Sequence, residues 1–237
     1  MQQPRVLVGA PISDHHEYCW DTFVQTLKSL TYPNFSILLI DNSKDEKFYK
    51  KVQKEFPVQR IPYHPNVKVR LAQSRNILKE KAIKEGYDYM CNLDQDVVPP
   101  NDVIEQLLSH KKQIVTGIYW NKFNKIGQKN LTYETRLRPV LWVKAKNDPE
   151  KLVFVRQDII DQNKLIKVDL CGTGCIIIAT EVLKKITFRW EEQESGVDDS
   201  FFCMDVAKLG YHIYADTKIK CLHHVDQRPI SWGAQDL

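Results

Sequence analysis

The architecture of this chain follows from the segment Tyr87-Asp-Tyr-Met-Cys-Asn-Leu-Asp-Gln-Asp-Val-Val-Pro-Pro100. Its first seven residues form a short, mainly apolar run that favours a buried strand, and the closing prolines stop that strand from continuing. Asp94 and Asp96 therefore follow directly after the carboxyl end of a strand. In open α/β sheets ligands bind beyond such ends, so the two carboxylates are the first candidates for a binding site.

The residues before this segment repeat the same arrangement twice. Apolar runs at 5–10 and 35–40 end at Ala10-Pro11 and at Asp41, and helical patterns cover residues 17–30, 45–54 and 72–85. Alternation of strands and helices predicts a mostly parallel, doubly wound sheet. Because parallel strands end at one edge, Ala10, Asp41 and Asp94 should open on a single crevice.

The second half of the chain has a different pattern, with several short β-like runs separated by turns. Strands are predicted at residues 113–120, 139–144, 152–156, 165–170, 175–179, 211–215 and 219–222, helices at 180–185 and 198–209, and a basic loop at 121–130. No linker separates the halves. The sequence thus predicts one α/β domain over residues 1–237, with a parallel half at 1–120 and a mixed half at 121–237.

Composition narrows the class of protein. Hydrophobic residues make up 43% and charged residues 27% of the 237, which is ordinary for a soluble globular chain, and a net charge of +4 is too small to predict nucleic-acid binding. No segment approaches the roughly 20 apolar residues of a membrane span, and the polar residues at the start of the sequence lead us to expect no signal peptide. Six scattered cysteines without zinc-site spacing indicate buried thiols in a reducing cytoplasm.

The carboxylate pair at Asp94 and Asp96 has two interpretations. It can hold a hard divalent cation whose remaining coordination positions are filled by phosphate oxygens and water. It can also be a turn before a helix that begins near Asp102, with aspartates serving as caps. The motif alone leaves both open.

A second acidic pair and a pair of histidines lie near the end of the chain. Asp198 and Asp199 precede an apolar helical pattern, where carboxylates can cap the helix and favour its dipole. His223 and His224 are adjacent near a strand end, so their side chains should point to opposite faces, and at most one should face a site.

Taken in order, these motifs resemble those of GT-A glycosyltransferases, in particular the non-processive, inverting, family-two-like members. The resemblance covers most of the chain and rests on Val8-Gly-Ala-Pro11, Ile40-Asp-Asn-Ser43, Leu71-Ala-Gln-Ser-Arg-Asn76, Leu93-Asp-Gln-Asp96, Gly172-Thr-Gly-Cys-Ile-Ile-Ile178, Asp198-Asp-Ser-Phe-Phe-Cys203 and His223. It implies the GT-A fold, with a nucleotide-binding half at 1–120 and an acceptor-side half at 121–237.

The resemblance also implies roles for individual residues. Those expected at the nucleotide-sugar donor are Ala10, Pro11, Asp41, Arg75, Asn76, Asp94, Gln95 and Asp96. Those expected to hold a manganese or magnesium ion are Asp96, Asp94 and His223. Those expected on the acceptor side are Gly172, Thr173, Gly174 and Trp120. Asp199 takes the position of the catalytic base and Asp198 replaces the usual glutamate before it, so the two roles could be exchanged.

The function implied is transfer of one sugar, a hexose by expectation, from a UDP- or GDP-sugar to a hydroxyl group, with inversion. The acceptor class is open between a glycan, a lipid-linked molecule and a protein. The protein is expected in the cytoplasm, free or peripheral at the inner membrane face. Two alternatives stand: a catalytically silent nucleotide-sugar binding module, and an aspartate-nucleophile phosphohydrolase, which also carries D-x-D after a strand. Tyr119, Trp120, Trp142 and Trp190 are either platforms for sugar faces or packing residues.

Overall fold

The computed structural model describes residues 3–124, 135–192 and 196–225. Its strands are β1 (Val6–Ile12), β2 (Phe35–Asp41), β3 (Val58–Arg60), β4 (Tyr89–Leu93), β5 (Val97–Val98), β6 (Ile114–Ile118), β7 (Trp120–Asn124), β8 (Thr135–Pro139), β9 (Leu141–Ala145), β10 (Asp148–Phe154), β11 (Leu165–Val168), β12 (Leu170–Cys171), β13 (Cys175–Ala179), β14 (Ile213–Lys220) and β15 (Leu222–His223). Its helices are a 3₁₀ helix (Asp14–Cys19), α1 (Trp20–Ser29), α2 (Lys47–Val52), α3 (Val67–Lys84), α4 (Val103–Ser109), α5 (Gln157–Ile160), α6 (Thr180–Leu183) and α7 (Asp198–Lys208).

An eight-stranded sheet forms the centre of the molecule, in the order β11-β14-β6-β13-β4-β1-β2-β3. The pairs β1–β2, β1–β4, β2–β3 and β6–β14 are parallel. Strand β13 runs antiparallel between β4 and β6, and β11 runs antiparallel beside β14. The prediction of a mostly parallel α/β sheet is confirmed, and the mixed region lies in the second half of the chain.

Side chains that alternate along the strands fill two separate cores, one on each face of the sheet. Leu7 and Met90 join the core that contains Leu78 of α3 and Phe202 of α7. Val6, Val8 and Cys91 join the other core, which contains Trp20 of α1 and Leu107 of α4. Because β1 is covered on both faces, all seven of its residues are buried, as a central strand of a doubly wound sheet requires.

Some sequence predictions are wrong in their details. Residues 121–130 were predicted as a loop, but residues up to Asn124 belong to β7, which pairs with β8, and the rest of that segment lies outside the described residues. The two strands predicted at 211–215 and 219–222 are largely one strand, β14, which changes register against β6 between Ala215 and Lys220. Polar residues within both segments obscured the strand pattern.

Helix α3 begins at Val67, five residues before its predicted start at 72. The side chain of Asn66 accepts a hydrogen bond from the backbone N–H of Lys68 and caps the helix, a signal hidden among the preceding prolines. The extra turn carries Arg70, whose guanidinium is buried against Asn42 and the carbonyl of Pro65.

Two short sheets complete the site region. Strands β9, β10 and β12 form one of them, and β5 pairs with β15 in the other. The second pairing matters for the site because β5 follows Asp96 and β15 carries His223, which is opposite Val97 in the register. Within the described ranges, no helix combines the length and apolarity that a bilayer crossing demands.

Candidate active site

A cleft of about 870 Å³ lies at the carboxyl ends of β1 and β4. The predicted residues that line it are Pro11, Arg75, Asp94, Gln95, Asp96, Gly172, Asp198, Asp199 and His223. These residues come from six separate parts of the chain, and the sheet brings them together as the strand-end argument requires.

A buried arginine organises the acidic side of the cleft. The guanidinium of Arg75, 2% exposed, forms ion pairs with Asp198, with Asp94 through Nη2 at 3.2 Å, and with Asp199 through Nη1 at 3.3 Å. Burial by itself lowers the pKa of Arg75, but the charges of Asp94 and Asp199 outweigh that effect and raise it. Arg75 therefore stays charged and holds three carboxylates in one cluster.

The two aspartates that begin α7 have different environments. The side chain of Asp198 is 1% exposed, and its carboxylate forms an ion pair with Arg75. Asp199 is 21% exposed, accepts a hydrogen bond from Thr173 Oγ1 at 2.6 Å, and also accepts one from the Thr173 N–H at 3.3 Å. Burial and the neighbouring Asp94 raise the pKa of Asp199, whereas Arg75 and Thr173 counteract that rise. Asp199 is thus the more accessible carboxylate of the pair, and its raised pKa suits a group that accepts a proton.

Asp96 lies between two imidazoles. His223 Nε2 is 3.3 Å and His16 Nε2 is 3.5 Å from Asp96 Oδ2. His223 Nδ1 lies 2.8 Å from the carbonyl oxygen of Trp120, to which it can only donate, so the neutral tautomer turns its Nε2 lone pair toward Asp96. Such a lone pair facing a carboxylate is the arrangement of a metal-binding histidine with its second nitrogen fixed.

Asp94 faces the arginine side of the cleft. Its Oδ1 accepts hydrogen bonds from Arg75 and from Asn92 Nδ2 at 3.0 Å, and its backbone N–H donates to the carbonyl of Gly174 at 2.9 Å. Over the part of the chain that is described, no group of three or more histidine, cysteine, aspartate or glutamate side chains is arranged to hold a metal ion.

The structure does not bring every predicted donor residue to the cleft lining. Asp41 is fully buried, accepts a hydrogen bond from Ser43 Oγ at 2.6 Å and lies 3.5 Å from Arg60 Nε. Burial raises its pKa. The amide of Asn76 instead pairs with the backbone of Phe188 in both directions, and Ala10 is buried within β1. Their roles at the donor stay predictions.

The predicted acceptor-side residues also lie in different surroundings, and not all of them line the cleft. Gly172 lines the cleft, Thr173 binds Asp199, and the Gly174 N–H donates to Tyr119 Oη at 3.1 Å. Trp120 packs beside the core and offers its carbonyl to His223. The aromatic residues that line the cleft are Tyr119, Phe123, Trp142 and Trp190.

Replacing Gly172 by alanine is expected to lower the free energy of unfolding by about 1–3 kcal/mol, because the new Cβ overlaps Tyr119 Oη and approaches Val140 Cγ1 to 2.8 Å. Chemical denaturation checks this. The change Tyr119→Phe removes the hydroxyl, so it should cost less in the Gly172→Ala background than in the wild type. Equal costs in the two backgrounds would show that the overlap is not the cause.

Several contacts within the site carry no signal in a single sequence, and His16 itself is not among the predicted site residues. Tyr119, Thr173 and His16 act through partners 26 to 80 positions away, and Gln95 turns out to bind backbone groups of the 3₁₀ helix region. Only the approach of distant strand ends creates these contacts. Residue type and spacing could not have identified them.

Several solved structures of other proteins have a similar fold. A crystal structure of GalNAc-T7 with UDP, GalNAc and Mn2+ superposes with a TM-score of 0.62 at 12% identity, covering 93% of this chain and 44% of that one. A crystal structure of S. aureus TarS residues 1–349 in complex with UDP-GlcNAc gives 0.54 at 14% identity, with coverages of 94% and 60%. This chain is therefore shorter than either. No curated protein matches it in sequence.

The sheet and its solved neighbours show the GT-A fold that the motifs predicted. The profile of Glycosyl transferase family 2 matches residues 17–187, which is most of the chain. This protein belongs to Glycosyl transferase family 2.

Proposed function

We propose that this glycosyltransferase moves a single hexose from a nucleotide diphosphate-sugar to a hydroxyl acceptor, with inversion and with a divalent cation. One observation carries the proposal: Asp96, His223 and Asp199 line the same cleft, and Arg75 pairs with both Asp199 and Asp94. A cation site and a base that line one cleft suit an in-line displacement.

The base in this mechanism is Asp199. It takes the proton of the acceptor hydroxyl as that oxygen bonds to the anomeric carbon and the bond to the diphosphate breaks. Thr173 fixes the orientation of the carboxylate through two hydrogen bonds. Asp198 is held by Arg75 and supports the cluster, which favours Asp199 over its neighbour as the base.

Residues on the other side of the cleft suit a divalent cation. Asp96 offers a nearly buried carboxylate and His223 an imidazole nitrogen, with Asp94 assisting from the arginine side. Diphosphate oxygens and water would complete the coordination, since the chain supplies too few ligands for a closed site. When bound, the cation neutralises charge that develops on the departing diphosphate.

The donor and acceptor are proposed by class. GalNAc-T7 with UDP and Mn2+, and TarS with UDP-GlcNAc, favour a UDP-sugar and manganese as the first probes, with GDP-sugars and magnesium next. Residues 1–120 would bind the donor and 121–237 the acceptor, which stays open between a glycan, a lipid-linked molecule and a protein. Phe123 and Trp142 give the acceptor side an aromatic wall suited to sugar faces.

The experiment that tests the proposal is a panel of sugar nucleotides scored for metal-dependent hydrolysis and thermal stabilisation, followed by acceptor screening with the productive donor. Nuclear magnetic resonance of the product then reads the anomeric configuration, and inversion is expected. Donor binding without hydrolysis or transfer would instead support a silent binding module. Retention of configuration would exclude the role given to Asp199.

Replacing Asp96 by asparagine is expected to lower metal-dependent turnover about 100-fold, because the cation loses its charged ligand. Chelation of the metal should lower wild-type activity in the same way, and added Mn2+ should restore it. Asp102→Asn, an exposed acidic residue before α4, is the matched control and should leave turnover unchanged. Full activity of Asp96→Asn in the presence of a chelator would exclude the cation from the mechanism.

A further inference from the structure

His16 lies where the nucleotide half of the cleft meets the proposed cation site. It belongs to the 3₁₀ helix directly after β1 and lines the cleft together with Pro11 and Ser13. Its side chain is 16% exposed, and Nε2 is 3.5 Å from Asp96 Oδ2. The imidazole is therefore largely enclosed but open toward the cleft.

Gln95 fixes this position. Its side chain is nearly buried; Oε1 accepts a hydrogen bond from the Ser13 N–H at 2.9 Å, and Nε2 donates to the His16 carbonyl at 3.0 Å. The residue between the two aspartates is thus tied to the start of the helix that carries His16. This arrangement explains why the middle position of the motif is occupied by an amide with both a donor and an acceptor.

The two imidazoles beside Asp96 are held differently. His223 is 5% exposed and anchored through Nδ1 to Trp120, which leaves Nε2 for a cation. His16 is held at its carbonyl by Gln95, and its ring contacts Asp96 and the ring of Tyr18. The proposed cation ligands are Asp96 and His223, with Asp94 assisting, and His16 is not one of them.

We infer that His16 binds the diphosphate of the donor: it contacts Asp96 before the donor arrives and donates Nε2–H to a phosphate oxygen once Asp96 takes the cation. This inference rests on the proposed function. A histidine N–H suits an anionic oxygen, and the charge-assisted bond is stronger than its neutral counterpart. Asp96 would release His16 because a cation satisfies the carboxylate more fully than an imidazole does.

Binding measurements on the full chain separate this role from metal ligation. Mn2+ alone, and then UDP and GDP in the presence of Mn2+, are titrated by calorimetry into the wild type and His16→Ala. The variant should bind Mn2+ alone within about twofold of the wild type, and the preferred nucleoside diphosphate about 10- to 100-fold more weakly. His16→Gln keeps a donor and should recover most of that loss.

His15 supplies the matched control, because it neighbours His16 on the same helix but is exposed. His15→Ala should bind Mn2+ and nucleoside diphosphate as the wild type does, and His223→Ala should weaken Mn2+ binding. Wild-type diphosphate affinity in His16→Ala overturns the inference, and so does a loss of Mn2+ affinity equal to that of His223→Ala. If the wild type itself binds neither UDP nor GDP with Mn2+, the proposed function fails as well.

Discussion

Asp199→Asn should lower turnover by about 10²- to 10⁴-fold, the usual contribution of a positioned general base. The asparagine keeps the size and one of the two oxygens that accept hydrogen bonds from Thr173, but it cannot take the acceptor's proton. Steady-state transfer with the preferred donor measures the effect. The affinity for metal and nucleoside diphosphate should stay within a few-fold of the wild type, because Asp199 binds Thr173 and Arg75 whereas Asp96 contacts His16 and His223.

The pH dependence gives a second readout of the same change. Burial and Asp94 raise the pKa of Asp199, so the acidic limb of the wild-type profile should lie at higher pH than for an ordinary aspartate. Activity is lost as pH falls through this pKa because the base becomes protonated. Asp199→Asn should lack this limb. Near-normal transfer by the variant, or an unchanged acidic limb in its residual activity, would refute the assignment of the base.

Arg75→Met should lower the free energy of unfolding by about 3–5 kcal/mol, the cost of removing one partner from a buried ion pair. Asp198 then has a buried carboxylate without its cation, and Asp94 and Asp199 lose their shared positive neighbour. Chemical denaturation near neutral pH measures the loss. A variant that is too unstable to isolate at neutral pH agrees with the same prediction.

A second substitution identifies the cause. Asp198→Asn in the Arg75→Met background removes the uncompensated charge and should restore part of the stability. The same Asp198→Asn change made alone should be destabilising, because Arg75 loses a partner. If the double variant is no more stable than Arg75→Met, the loss comes from packing of the arginine stem and not from charge.

Strand ends could be predicted well from this sequence, and partners across the cleft could not. The pattern around 87–100 is local, so the position of Asp94 and Asp96 beyond β4 follows from apolar spacing and two prolines. Resemblance to known motifs located Asp198 and Asp199, and the structure brings all four carboxylates into one cleft. Three of them pair with Arg75 and the fourth, Asp96, contacts two histidines, and these contacts depend on distances that no spacing rule contains.

The side-chain contacts of Asp41 and Asn76 do not follow from the motifs that contain them. Both lie in motifs that resemble donor-binding sequences. However, the carboxylate of Asp41 accepts a hydrogen bond from Ser43, and the amide of Asn76 donates one to the carbonyl of Phe188. The direction of a polar side chain, at a strand end for Asp41 and within a helix for Asn76, depends on competing partners that are two residues away or distant in sequence. His16 is the opposite case, since it carries no motif and yet contacts Asp96.

Strand β13 has a consequence for how new specificities could arise. It is antiparallel to its neighbours β4 and β6. Directly before it, the carbonyl of Gly174 accepts a hydrogen bond from the N–H of Asp94, and the hydroxyl of Thr173 donates one to Asp199. The spacing between the contacts of Asp94 and Asp199 is thus fixed by the backbone at the start of one strand. We therefore expect that changes in a hairpin outside the eight-stranded sheet, such as β9–β10, would leave this spacing unchanged.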